Sequence, residues 1–247
     1  MIDADWFKNW LKYSYVLRTF WNKTVGKIEV LYSTKEAFIV AAEWPKAKRS
    51  SGGLFIYSKR DATKLIEKWA NYAKRRDSDL LLLTEENLCL AVDACSFFFV
   101  WDLSKLNFLD ACRRVDIRIL DYSEAIKVVE EVTKRSWRFS VKPRKDLHLV
   151  LSAWVGNKSV GIAMLNKYNF NIDFGVHVCR EYWRKRIGTR LLLEAASLAK
   201  DIGGRYLTVV RVLRRLKATS ADRAALSFYK ANNPAYIFKV YRLAKPT

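Results

Sequence analysis

The sequence predicts an α/β protein in which helices alternate with the strands of a mixed (α+β) sheet. It is arranged as two domains, a smaller one over residues 1–110 and a second over 115–247. Three observations predict this. Apolar runs of strand length, such as Leu80 to Leu83 and Phe97 to Trp101, alternate with stretches whose apolar residues recur at helical spacing, such as Leu65, Ile66, Trp69, Tyr72 and Ala73. A chain of 247 residues, 51% hydrophobic, has the length and the apolar content for two cores. The pattern also restarts at Val115, where VDIRILDY alternates as a half-buried strand.

In order, Trp6 to Trp21 reads as a helix with a broad apolar face and Asp3 or Asp5 near its start. Lys27 to Ser33 and Ala37 to Trp44 read as a hairpin, and Pro45 to Gly53 as a cationic loop. Leu54 to Ser58 is a strand, Asp61 caps a helix running to Arg75, and Asp79 to Thr84 and Ser96 to Trp101 are strands. Leu103 to Arg114 is expected to be a short helix and connector. In the second half, a helix follows from Ser123 to about Arg138, then a basic connector with Pro143. Strands at Leu147 to Val155 and Ser159 to Leu165 are joined at Gly156 and Asn157. Arg205 to Leu213 is a strand, Ser220 to Asn232 a helix ended by Asn233 and Pro234, and Ala235 to Leu243 a closing strand.

The net charge is +20 and the pI about 9.9, which favours an anionic cofactor, an acidic protein or nucleic acid as partner. Glutamine is absent, and Met, Gly and Pro are few, a thermophile-like bias. Cys89, Cys95, Cys112 and Cys179 lack metal-type spacing, and His148 and His177 are the only histidines, so no metal site is expected. The cysteines read as reduced thiols of a cytoplasmic protein. Met1 to Trp10 lacks the basic start and apolar run of a signal peptide, and no window has the length of a membrane span, so no membrane partner is expected.

The stretch Ile172 to Lys200 organises the second half. Ile172 to Cys179 is strand-like, Arg180 to Arg186 is a cationic break, and Gly188 and Thr189 open a helix with Leu191, Leu192, Ala195, Leu198 and Ala199 on its apolar side. A strand that feeds a tight turn at a helix N-terminus aims unpaired N–H groups and a positive dipole end at an anion. Five of the eleven residues from Arg180 to Arg190 are cationic, which adds to that field.

With Leu191 and Leu192 setting the register, Trp183-Arg184-Lys185-Arg186-Ile187-Gly188 is similar to the acyl-CoA loop, Gln/Arg-x-x-Gly-x-Gly/Ala, of the GNAT (Gcn5-related N-acetyltransferase) family. Asp222-x-x-Ala225-x-x-Phe228-Tyr229 resembles that family's Asn-x-x-Ala-x-x-x-Tyr helix, and the element order from Val115 to Leu243 resembles its fold. Trp183 stands where Gln or Arg is usual, Arg186 where the first glycine is, Asp222 where Asn is, and Asn233-Pro234 where Gly-Phe is. If Arg186 must take φ > 0 it is strained by roughly 1 kcal/mol; the alternative is a slightly different loop. Residues Trp6 to Thr84 echo part of the same order, as a degenerate copy without a glycine in its turn.

The resemblance implies an N-acetyltransferase that moves an acetyl group from acetyl-CoA to a primary amine of an acceptor the sequence does not identify. It implies that N–H groups from Arg184 through Lys185, Arg186, Ile187 and Gly188 to Thr189 hold the pyrophosphate, with charge from Arg184, Lys185, Arg186 and Arg190. It places the N–H of Val178 or Cys179 at the thioester carbonyl. Tyr229 is the implied general acid, and the implied base is Asp173, His177 or a water relay. The alternatives are a nucleic-acid-binding protein, using the clusters at Lys134 to Lys145 and Arg205 to Lys217 with Trp137, Phe139 and Tyr206 as stacking platforms, or a non-catalytic GNAT-like scaffold.

Overall fold

The computed structural model describes residues 2–14, 25–45, 51–59, 62–85, 92–137, 140–213 and 219–243. In chain order the first elements are α1 (Ala4–Lys12), β1 (Ile28–Ser33), β2 (Ala37–Glu43), β3 (Gly52–Ser58), α2 (Thr63–Arg75), β4 (Ser78–Thr84) and β5 (Val92–Asp102). They are followed by β6 (Asp116–Leu120), α3 (Tyr122–Trp137), β7 (His148–Val155), β8 (Lys158–Asn166) and β9 (Ile172–Val178). After a short 3-10 turn at Arg180–Tyr182 come α4 (Ile187–Asp201), β10 (Tyr206–Val212), α5 (Ser220–Ala231) and β11 (Tyr236–Leu243). The chain divides into one unit of residues 1–98, 212–222 and 236–247, and another of 99–211 and 223–235.

In the first unit Asp3 Oδ1 accepts the Trp6 N–H at 2.9 Å and so caps α1. Thr34 closes the β1–β2 hairpin, its Oγ1 accepting the Ala37 N–H at 3.0 Å. β1, β2 and β3 are antiparallel neighbours, β3 and β4 are parallel across α2, and β11 is antiparallel to β4. Alternate residues of these strands face opposite helices. Phe38 and Phe55 meet Phe7 of α1 at ring distances of 5.4 and 5.5 Å. Ile39, Leu54, Ile56, Leu80 and Leu82 pack with Leu65, Ile66, Trp69 and Tyr72 of α2. Burial on both faces is why β3 and β4 read as unbroken apolar runs rather than as alternating strands.

In the second unit β6, β7, β8 and β9 form an antiparallel sheet in that order. α3 starts beside Asp121, whose Oδ1 accepts the Glu124 N–H at 2.9 Å. Gly161 and Ile162 are adjacent in β8 and therefore face opposite ways. A Cβ on Gly161 would meet Leu191 of α4, whereas His177, the partner of Ile162, lies against Ser136 and Trp137 of α3. The two helices thus cover opposite faces. α4 ends in a Schellman motif: Gly203, at φ 86°, donates to Lys200 O and Gly204 donates to Ala199 O.

The expected helix within Leu103 to Arg114 does not form; the segment is turns and irregular chain. Asp102 Oδ1 accepts from both the Ser104 N–H and hydroxyl, an Asx turn that competes with a helical start. Phe108 stacks on Trp101 and Asn233 Nδ2 donates to Asn107 O, so the chain is held extended by its neighbours. The expected cap at Asp61, the end of the first helix at Trp21, Cys89 and the loop Arg214 to Lys217 lie outside the described residues.

Candidate active site

β9 and β10 belong to different sheets, and among the described residues they are joined by one isolated parallel bridge, Asn171, just before β9, with Thr208, beyond which they part. The parallel pair of the first unit behaves otherwise: β3 and β4 stay paired from Gly52 and Ser78 to Tyr57 and Leu83. The parting leaves one edge of β9 open. Cys179 N–H donates to Val160 O at 2.9 Å, and His177 pairs with Ile162 two residues back, so both point toward β8. In an antiparallel ladder the residue between them, Val178, directs its N–H and C=O to the far side. There the Val178 carbonyl accepts the Trp183 indole N–H at 2.7 Å. The Val178 N–H has no acceptor among the described residues. Of the two amides expected at a carbonyl, Val178 is therefore open, and Cys179 is committed to the ladder.

The same edge carries Tyr229. Its hydroxyl accepts the Val176 N–H at 3.0 Å, and its ring packs on Phe99 and Trp101. Burial pushes the phenol pKa up, so it stays protonated at neutral pH. The phenol hydrogen itself has no acceptor among the described residues. The hydroxyl reaches the strand because β9 bulges at Phe174 (φ 64°) and Gly175 (φ 82°), where the register against β8 shifts. A Cβ at Gly175 would lie 2.5 Å from the Tyr229 hydroxyl oxygen.

His177 and Asp173 share a face of β9, opposite Ile162 and Met164, but both are buried. His177 Nε2 donates to Phe174 O at 3.1 Å and Nδ1 accepts from Ser136 Oγ at 3.1 Å. Desolvation pushes its pKa down to about 4, which keeps the ring neutral. Asp173 has no exposed surface and receives three donors: Asn171 Nδ2 at 2.6 Å, His148 Nε2 at 3.0 Å and Asn166 Nδ2 at 3.2 Å. Neither group opens to solvent as an amine's proton acceptor would. The spacing that puts them on one face was legible; of the partners that occupy them, Ser136, His148 and Asn166 come from α3, β7 and β8.

The basic loop takes the conformation of a glycine loop without its glycines. Arg184 (φ 61°) and Arg186 (φ 59°, ψ 19°) are both left-handed. The strain expected at Arg186 is present, and Arg184 adds a second instance. The backbone N–H groups of Arg184, Lys185, Arg186, Ile187, Gly188 and Thr189 have no acceptor among the described residues, whereas Arg190 N–H begins the helical ladder at Arg186 O. The side chains divide. The Arg186 guanidinium donates to Asp110 O at 3.1 Å, and Arg190 pairs with Glu194 at 2.6 Å. Lys185 lies over the Tyr182 ring. Arg184 and Lys185 are exposed, while Ile187 and Thr189 are buried. At Gly188 an added Cβ would meet the Phe228 ring at 3.0 Å, so this glycine allows α4 and Phe228 of α5 to approach.

The proposed stacking platforms are not presented to solvent as a set: Tyr206 is 1% exposed, Trp137 tilts against His177, and Phe139 lies outside the described residues. A cavity of about 360 Å³ in the first unit is lined by Lys27, Glu29, Glu43, Tyr72 and Arg76 among others, and no residue of the basic loop lines it. Among the described residues no cluster of His, Cys, Asp or Glu is placed to hold a metal ion, and no helix is long and apolar enough to cross a membrane.

Fold and site together define an α/β protein with a splayed strand pair and a cationic strand–loop–helix whose first N–H groups are unpaired among the described residues. The profile of the Acetyltransferase (GNAT) family matches residues 115–232, so the chain carries a domain of that family. Among solved structures, the chain is similar to a GCN5-related N-acetyltransferase from Kribbella flavida, at 10% identity over 90% of each chain with a TM-score of 0.50. It is also similar to a functionally unknown conserved protein from Staphylococcus epidermidis, at 15% identity over 94% of this chain and 98% of that one, TM-score 0.47. A GCN5-related N-acetyltransferase from Sphaerobacter thermophilus matches at 15% identity over 86% and 81%, TM-score 0.43. At such identities the first of these likenesses speaks for the fold alone. A comparison with curated proteins found no match.

Proposed function

We propose that the GNAT domain transfers an acyl group, acetyl from acetyl-CoA, to a primary amine. One observation carries this: the unpaired Val178 N–H and the unpaired Tyr229 O–H lie along the open edge of β9, which leads into six consecutive unpaired N–H groups at Arg184 to Thr189. That run of donors at a helix N-terminus, with exposed Arg184 and Lys185, fits a pyrophosphate. Acetyl-CoA, when bound, supplies an activated acyl carbon and a thiolate leaving group. Val178 N–H then stabilises negative charge on the acyl oxygen. Tyr229 would pass the proton at Oη to the thiolate that leaves as the amine nitrogen takes its place on the acyl carbon, and would be reprotonated from water. The amine's proton goes to solvent, directly or by a water relay. Asp173 and His177 enter this reading as groups that shape β9.

The first unit repeats the order of antiparallel strands followed by strand, helix and parallel strand, which supports reading residues 1–110 as a degenerate copy. The closed pairing of β3 with β4 accounts for the absence of an open strand edge there. An acidic protein or nucleic acid remains a partner class suited to a net charge of +20.

The test is calorimetry and thermal melting with acetyl-CoA. At a hundred times its Kd the ligand should raise Tm by about 5–10 °C. Neither heat nor shift at saturating acetyl-CoA would refute the donor assignment. Tyr229→Phe should leave binding intact and slow turnover; unchanged turnover removes Tyr229 as the acid.

A further inference from the structure

We infer that Asp173, Asn171 and Thr208 form a positioning cluster that clamps the single point where β9 and β10 meet, and so sets the gap into which Val178 N–H and Tyr229 project. A carboxylate with no exposure is tolerated only when hydrogen-bonded, and here three donors converge on it. Two of the donors are themselves oriented. Arg144 N–H donates to His148 Nδ1 at 2.9 Å, so the ring hydrogen sits on Nε2, facing Asp173. Asn166 Oδ1 accepts the N–H groups of Tyr168 and Asn169, which turns its amide NH₂ toward the carboxylate.

Asp173 in turn orients Asn171. With Asn171 Nδ2 held at 2.6 Å, Asn171 Oδ1 is left facing Thr208 Oγ1, which donates to it at 3.0 Å. That contact crosses from the residue before β9 to β10 at the one bridge between them among the described residues, beside Thr208 N–H donating to Phe170 O at 3.0 Å. Beyond it the strands diverge, so the clamp is the pivot of the open edge. The buried carboxylate thus acts on the site through Asn171 and Thr208 rather than by touching a reacting atom. The effect on binding and turnover rests on the acyl-transfer reading; the clamp itself does not.

Two variants test it in the full chain. Thr208→Val keeps a β-branched side chain of like size and removes the donor. Asp173→Asn keeps the shape and turns one acceptor toward a donor. In unliganded protein, amide exchange at Thr208 and Val176 should rise on the order of tenfold in each. Acetyl-CoA Kd should weaken by a similar factor, and the double variant should be no worse than the worse single one. The pH profile of thiol release from acetyl-CoA should keep its acidic limb in Asp173→Asn. Unchanged exchange in both variants overturns the clamp. Loss of the acidic limb in Asp173→Asn with Thr208→Val silent overturns it in favour of a base. If the unaltered protein binds no acetyl-CoA, the exchange measurements still decide the clamp, and the donor assignment fails separately.

Discussion

Replacing Gly175 with alanine tests the bulge that brings Tyr229 to β9. Gly175 sits at φ 82°, where an L-residue costs roughly 1 kcal/mol relative to glycine. Its new Cβ would be placed 2.5 Å from the Tyr229 hydroxyl oxygen and 3.7 Å from the ring carbon that bears it. The first distance is a collision and the second an ordinary contact, so the hydroxyl must move. Moving it breaks the bond from Val176 N–H, and an unpaired amide there costs about 1–3 kcal/mol. The sum is about 2–4 kcal/mol, or roughly 4–16 °C in Tm for a chain of this size. In a Tyr229→Phe background the collision partner is gone and Val176 is already unpaired. The same substitution should then cost only the backbone share, about 1 kcal/mol. Urea melts of the four proteins measure the difference as a coupling energy. An equal cost of Gly175→Ala in both backgrounds would refute the contact between residue 175 and the phenol.

Three further outcomes are expected. Arg186→Ala keeps the left-handed strain and loses the bond to Asp110 O, whereas Arg186→Gly loses the bond and relieves the strain. In urea melts the alanine variant should be less stable than the glycine variant by about 1 kcal/mol, and equal stabilities would argue against positive φ there. His177 is buried with a pKa of about 4 against 6.5 unfolded, so below pH 6.5 the unfolded chain binds more protons. Stability should be constant above pH 6.5 and fall through the window down to pH 4 by about 3 kcal/mol. His177→Gln should flatten that slope, and an unchanged slope would assign it to other groups. Acetyl-CoA affinity should fall as salt rises, by an amount that Lys185→Ala reduces; titrations at two ionic strengths measure it, and no salt dependence would place the phosphates away from the basic loop.

Local order was legible where one element's own residues decide it. The helices at Thr63–Arg75, Tyr122–Trp137 and Ile187–Asp201 and the hairpin at Ile28–Glu43 follow from spacing, capping and turn residues within a few positions. The exception, Leu103 to Arg114, has an apolar content that suits a helix, but its Phe108 ring packs on Trp101 and its Asn107 and Asp110 carbonyls accept from Asn233 and Arg186 instead. The motif residues Gly188, Leu191 and Tyr229 likewise located the cationic strand–loop–helix and the helix that carries the phenol.

The roles within the site were decided elsewhere. Gly175 inside a strand was a visible signal of a bulge, yet what fills the space beside it is a phenol more than fifty residues away. His148 was one of two histidines and became Asp173's partner only because β7, β8 and β9 bring them into register. The sequence by itself determined the order of elements, the cationic loop and the face shared by Asp173 and His177. Tertiary structure alone decided that these two are enclosed, that Arg184 joins Arg186 in left-handed backbone, and that β9 parts from β10. The reason is physical: periodicity is a property of neighbouring residues, whereas burial, hydrogen-bond partners and the divergence of two strands depend on segments that only folding brings together.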